Sequence, residues 1–213
     1  PPEIQKKLEA LRVDIKTVEM PKKPSAELVP SAMPAFKGSI LKPFTVKYSA
    51  KLNMMGREVT ITTTRSLSGV QLDGKKLWRV IEVAQGPMGA GIDTLDSDSE
   101  SLLPVRRAGS QGMANMAFNF KSDGVDGKIV AGAREMPVNA KLSGPALSDG
   151  AGVEIPISTL PLAEGYSGTI EVFNAMQAKA RKMTAKVTGT EKITVGGSSF
   201  DTFALALLGR VGQ

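Results

Sequence analysis

The side chains with the most evident chemical potential lie between residues 86 and 107. Asp93, Asp96, Asp98 and Glu100 place four carboxylates within eight residues. Such oxygen clusters suit calcium, but the EF-hand loop needs a glycine and a closing glutamate at fixed spacing, which are missing here. A solvated turn opening a hairpin is expected, and no metal site. Gly86-Pro-Met-Gly-Ala-Gly91 has the glycine content of a phosphate loop. Its spacing fits neither common nucleotide-binding pattern, and no helix follows to supply a dipole. A glycine-rich hairpin is expected there. Arg106 and Arg107 are neighbours on a strand and so point to opposite faces. One can enter the inner side of a curved sheet and meet an anionic group; the blander reading is one exposed arginine and one paired with a strand acid.

Much chemistry is excluded outright. The chain has no histidine and no cysteine. Ser-His-Asp and Cys-His catalysis, histidine-ligated metals, zinc–thiolate sites, iron–sulfur clusters and disulfides are therefore impossible within it. Carboxylate pairs of the glycosidase kind have no sequence spacing that points to a particular pair. Serines and lysines abound, but no SxxK stretch stands beside the other elements that chemistry needs. No catalytic residue, cofactor or metal is expected.

The elements that would position these side chains are mostly strands. PPEIQKKLEALR is expected to form a short amphipathic helix, with Ile4, Leu8 and Leu11 on one face. Met20 to Pro43 carries five prolines in 24 residues, which forbids a continuous helix or a central strand. Residues 1–43 are thus read as a helix and an extended arm, and residues 44–213 as an antiparallel β domain. Strands are expected at 44–52, 57–65, 76–83, 91–95, 103–107, 113–120, 126–130, 136–142, 167–173, 179–191, 192–195 and 200–208. Turn signals every 8–12 residues give the rhythm of a meander. One helix is expected around Ser158 to Leu162, kept short by Pro161.

Composition bounds the partners. An apolar fraction of 41% with 23% charged residues describes an ordinary globular chain. No stretch approaches the roughly 18 apolar residues of a transmembrane helix. The formal charge is +6, but the cations are scattered among 21 acids and only 5% of residues are aromatic. Single-strand binders interleave basic and stacking side chains, so no nucleic-acid partner is expected. The ten methionines serve either as adaptable lining of an apolar cavity or as plain core.

Three stretches together resemble a known family. They are Asp93-Thr-Leu-Asp96 with Ser101-Leu-Leu-Pro-Val-Arg-Arg107, then Leu160-Pro-Leu-Ala-Glu-Gly-Tyr166, then Val187 to Phe203. In order and spacing they are similar to the exported bacterial family of unknown function numbered three-one-zero-eight, over roughly residues 44 to 208. The resemblance implies a mainly β fold built on a single, strongly curved antiparallel sheet, a half-barrel like those of the lipoprotein carriers LolA and LolB. It also implies a periplasmic or outer-envelope location, the leader being absent from this chain. It carries no catalytic residues. The resemblance also implies a further hairpin after the Phe-Asp-Thr-Phe strand, so the expectation here is either a final strand without its partner or an incomplete chain.

The function expected from these features is noncatalytic binding of a lipid, an acyl chain or a lipoprotein in an apolar groove. Trp78, Met116, Phe118, Arg106 and Tyr166 are the groove candidates. The alternative is an interaction module of an envelope assembly that docks a partner protein through residues 1–43. In Leu160 to Tyr166, the leucines are expected to plug one end of the core. Gly165 would turn the corner with a positive φ, Tyr166 would start a strand, and Glu164 would be a corner residue.

Overall fold

The computed structural model describes residues 33–209 apart from Met55 and Met88. The expected N-terminal helix and most of the arm lie outside the described residues. Short polar or glycine-containing turns separate alternating β-branched runs, and these runs form the strands. The first eight are β1 (Phe44–Met54), β2 (Arg57–Leu72), β3 (Lys75–Gly86), β4 (Gly89–Asp98), β5 (Pro104–Gln111), β6 (Ala114–Lys121), β7 (Gly124–Ala131) and β8 (Arg134–Lys141). They pair in sequence order as one antiparallel meander. After β8 come a two-residue strand β9 (Leu147–Ser148), a helix α1 (Ala151–Ser158), and strands β10 (Ser167–Asn174), β11 (Lys179–Val195) and β12 (Ser198–Gly209). These last strands form a second sheet in the order β12-β11-β10-β9, with β9 parallel to β10.

The mainly β, half-barrel character expected from the sequence is present. The strands divide between two sheets where one was expected, because the ladder stops at Lys141 and Ser143-Gly-Pro145 carries the chain across. That break lets the two sheets face each other. Phe118 of β6 and Phe120 lie edge-on to Phe173 of β10, with ring centroids 6.0 and 5.8 Å apart. Val125, Val138, Ala146 and Ala175 complete this cluster.

Helix α1 lies earlier than expected. Its sequence, Ala-Gly-Val-Glu-Ile-Pro-Ile-Ser, is apolar on nearly every side, and six of its eight residues are buried. A helix wrapped by core has no amphipathic period to detect. Pro156 sits inside it and ends its usefulness as a long element. The hydroxyls of Ser158 and Thr159 close the last turn, donating to the carbonyls of Ile155 and Pro156 at 2.7 Å each. One side of α1 packs Ala151 and Ile155 on Leu67, Val80 and Leu95 of the large sheet. Its other side packs Val153 and Ile157 on Leu147, Ile170, Val172 and Ala185 of the small one.

The described end of the arm belongs to this core. Phe36 is buried, and the Gly38–Ile40 turn is held from both sides. Gly38 N–H donates to the Glu100 carbonyl at 2.9 Å, while the Trp78 indole donates to the Gly38 carbonyl at 3.1 Å. Lys37 N–H donates to the Thr159 hydroxyl at 3.0 Å. The Leu160–Tyr166 corner is formed as the sequence indicates: Leu160 is buried, Leu162 packs beside it, and Gly165 has φ 77°. Glu164 is exposed. The stretch expected as two strands, 179–191 and 192–195, is the single 17-residue β11, bulged between Val187 and Gly189.

Phe173 is wholly buried between the two sheets. Phe173→Ala is expected to lower unfolding stability by about 3–5 kcal/mol in denaturant titrations. Met176→Ala, at a side chain 79% exposed, is expected to stay within about 0.5 kcal/mol.

Candidate functional site

Strand register defines which side chains share a face. Leu67, Val80, Leu95, Arg107 and Phe118 stand in one row across β2 to β6 on the core-facing side. All five are buried, and one of them is an arginine. The next row outward holds Val46, Arg65, Glu82, Asp93, Gly109 and Met116. A band of charge therefore crosses the inner face at the margin of the core, where α1 begins.

Arg107 is the centre of this band. Its Nε and one terminal nitrogen donate to Asp93 at 3.0 and 2.6 Å. The other terminal nitrogen donates to Ser148 Oγ at 3.0 Å and to Asp149. The second oxygen of Asp149 accepts from the Ala175 N–H at 3.2 Å. One guanidinium thus joins β4, β5, β9 and the entry to α1. Burial works to lower the Arg107 pKa, but the bonds and charges of Asp93 and Asp149 outweigh it and hold the group more firmly protonated than usual. Beside it, Arg65 donates to Glu82 at 2.8 Å and to Glu154 of α1 at 2.6 Å. Arg65 also lies over the Tyr48 ring, 5.9 Å from its centroid.

The helix approaches closely here. A Cβ on Gly152 would stand 2.9 Å from both Leu95 Cδ2 and Ser148 Cβ, so the position admits no side chain without displacement. Between helix and sheet remains a recess of about 10 Å³ lined by Val80, Glu82, Asp93, Leu95, Arg107, Asp149, Ala151 and Gly152. That space matches a single water molecule. Among the described residues, no acidic group is arranged to hold a metal.

The four-carboxylate segment is not the solvated turn expected from its sequence. Gly89–Asp98 is a strand, and Asp96 is 1% exposed. On the outer face Asp96 accepts from Arg79 at 2.7 and 2.8 Å and from Arg106 at 2.7 Å. Desolvation would raise its pKa, but the two arginines prevail and hold the carboxyl below the ordinary range. Asp98 alone builds the turn, accepting from Ser101 N–H and Oγ at 2.8 Å each. Those bonds, the backbone one foremost, likewise lower its pKa. Asp93 faces inward to Arg107. No spacing in sequence identifies these partners, because they lie on neighbouring strands and on the loop before α1.

Arg106 and Arg107 do point to opposite faces, and each is paired with acids. The Gly86–Gly91 segment is a hairpin, with Gly86 opposite Gly89. The five groove candidates are not gathered around one cavity. Phe118 is core, Arg106 is on the outer face, and Trp78 and Tyr166 pack against the helix-side cluster. Met116 flanks the Phe118–Phe173 cluster.

Removing Arg107 would strand two carboxylates beside apolar residues. Arg107→Ala is expected to cost about 3–5 kcal/mol of unfolding stability. Acid should weaken the fold through Asp96 and Asp98. Their native pKa values lie below the unfolded ones, so their contribution is fully present above about pH 4 and is lost as pH falls through the depressed values. In urea titrations between pH 7 and pH 2, Asp96→Asn should be less stable at pH 7 and show a shallower acid loss.

The model of a family described as "Protein of unknown function (DUF3108)" matches residues 43–210, the full span from the start of β1 to the end of β12. No curated protein and no solved structure matches the chain. With its β domain covered from end to end, the chain belongs to the DUF3108 family of proteins of unknown function.

Proposed function

We propose that this chain is a noncatalytic protein of the bacterial cell envelope that holds a lipid, an acyl chain or the acyl end of a lipoprotein on the inner face of β1 and β2. One observation carries this reading. The inward alternation of β1 continues beyond the rows that α1 covers: Phe44, Val46, Tyr48, Ala50 and Leu52 all face inward, while Thr45, Lys47, Ser49 and Lys51 face out. Val46, Tyr48 and Leu52 remain 45%, 44% and 43% exposed. Val59 and Ile61 of β2 stand opposite Leu52 and Ala50 on the same face. Apolar side chains grouped on a sheet face that no described element covers mark a binding surface more often than a plain one. The core beneath is filled, so the ligand lies on the open half of the face and not in a closed cavity. The charged band of Arg65, Glu82 and Asp93 bounds that half and offers polar partners to a headgroup.

Asp93 and Asp96 both have their oxygens engaged by arginine, unlike a catalytic acid kept neutral in an apolar pocket. The alternative of an interaction module docking through residues 1–43 draws no support from residues 33–41, which pack on their own domain through Phe36 and Gly38.

Native mass spectrometry and lipid extraction of protein purified from bacterial envelopes are expected to find a bound acyl lipid. Val46→Asp with Leu52→Asp should weaken binding of a fluorescent fatty acid at least tenfold, the equivalent of about 1.4 kcal/mol, with the melting temperature unchanged. Absence of lipid, or equal binding by the variant, would refute the proposal.

A further inference from the structure

The two sheets present four outer strands, and three of them carry the usual protections against pairing with another chain. β1 bears Lys47 and Lys51, β8 contains Pro137 among charged residues, and β9 is two residues long. β12 has none of these. It is twelve residues of Ser-Ser-Phe-Asp-Thr-Phe-Ala-Leu-Ala-Leu-Leu-Gly, with Asp201 its sole charge, no proline, and its single register irregularity on the β11 side. Among the described residues nothing pairs with its outer side. The outer half of the β11–β12 hairpin is also thinly supported, since β10 pairs with β11 only over Lys179–Lys186. A bare two-stranded ribbon is marginal in water.

We infer that β12 pairs antiparallel with β12 of a second copy of this chain, about a two-fold axis at Ala204. Residues directly opposite must share a face, and this axis satisfies that for the whole strand. It sets Phe200 against Leu208, Thr202 against Ala206 and Ala204 against Ala204 on one face. On the other it sets Phe203 against Leu205 and Asp201 against Leu207. No like charges meet, and Phe200, Phe203, Leu205 and Leu208 each oppose an apolar side chain, while Leu207 stands against Asp201. The unsupported tip of each hairpin rests beside the supported end of its partner.

The surface is large enough. Phe200, Phe203, Leu207 and Leu208 are 51%, 42%, 39% and 54% exposed. Half-exposed side chains of this size together offer on the order of 400 Å² per copy. With the backbone of an edge about 40 Å long, the pair reaches the roughly 1,200 Å² at which specific interfaces begin.

Sedimentation of the full 213-residue chain should show a concentration-dependent dimer. Phe200→Lys with Leu208→Lys, both at exposed positions, should weaken it about 100-fold while circular dichroism and melting temperature stay unchanged. The chain has no cysteine, so single thiols report register directly. Ala204→Cys should form a disulfide-linked dimer under mild oxidation, and Asn139→Cys on β8 should not. A monomer at hundreds of micromolar would overturn the inference, as would a dimer that survives the lysine pair or crosslinks equally through both thiols. So would a monomer whose β12 amides are nonetheless protected from hydrogen exchange, which would place a segment of the same chain on that edge.

Discussion

A guanidinium buried in an apolar row is the constraint on which the arrangement depends. Arg107 stands between Leu95 and Phe118, where an unpaired charge would be prohibitive. It is tolerable because Asp93 comes from the neighbouring strand and Asp149 from the entry to α1. Both acids must arrive together, and with them the Ser148 hydroxyl. The short β9, which makes few ladder bonds of its own, is thereby fixed against the large sheet. Fixing β9 places α1, and α1 supplies the apolar layer between the sheets. Desolvation, ion pairing and packing thus select one closure of the fold.

At the other end the sheets meet without a helix, and aromatic rings do the joining. Phe173 reaches Phe118 and Phe120 directly. The polar junction under α1 and this dry junction differ in their response to conditions. Acid and screening act on charges, whereas temperature acts on apolar burial. The inner face beyond both junctions is left with Val46, Tyr48 and Leu52 partly open to water.

The strands were legible because alternation and turn residues are local signals. Even Leu160-Pro-Leu and Gly165 declared their structural task. What escaped detection depended on tertiary context. Helix α1 is apolar all round, so it carried no 3.6-residue stripe, and the proline at 161 drew attention to the wrong turn. Asp96 looked like a surface acid because Arg79 lies 17 residues before it, on the adjacent strand. Asp149 carried no signal at all; only its place at the head of a buried helix gives it a role. β11 was read as two strands meeting at Glu191-Lys192, whereas its ladder to β12 runs unbroken through both residues. Trp78, Met116, Phe118, Arg106 and Tyr166 were grouped as lining of one groove, but burial puts Phe118 in the core and strand register puts Arg106 on the outer face. The inner face of β1 was visible as alternation, but that no other described element covers its outer rows was not.

Trp78 gives the molecule a built-in optical gauge. It is the only tryptophan in the chain, and its indole is bonded to the carbonyl of Gly38 while its ring touches both clusters that flank α1. Indole emission shifts with local polarity, so its colour registers whether residues 33–41 are seated. Lifting that segment would wet the ring before any strand came apart. The fold therefore signals the state of its own N-terminal seam without a label.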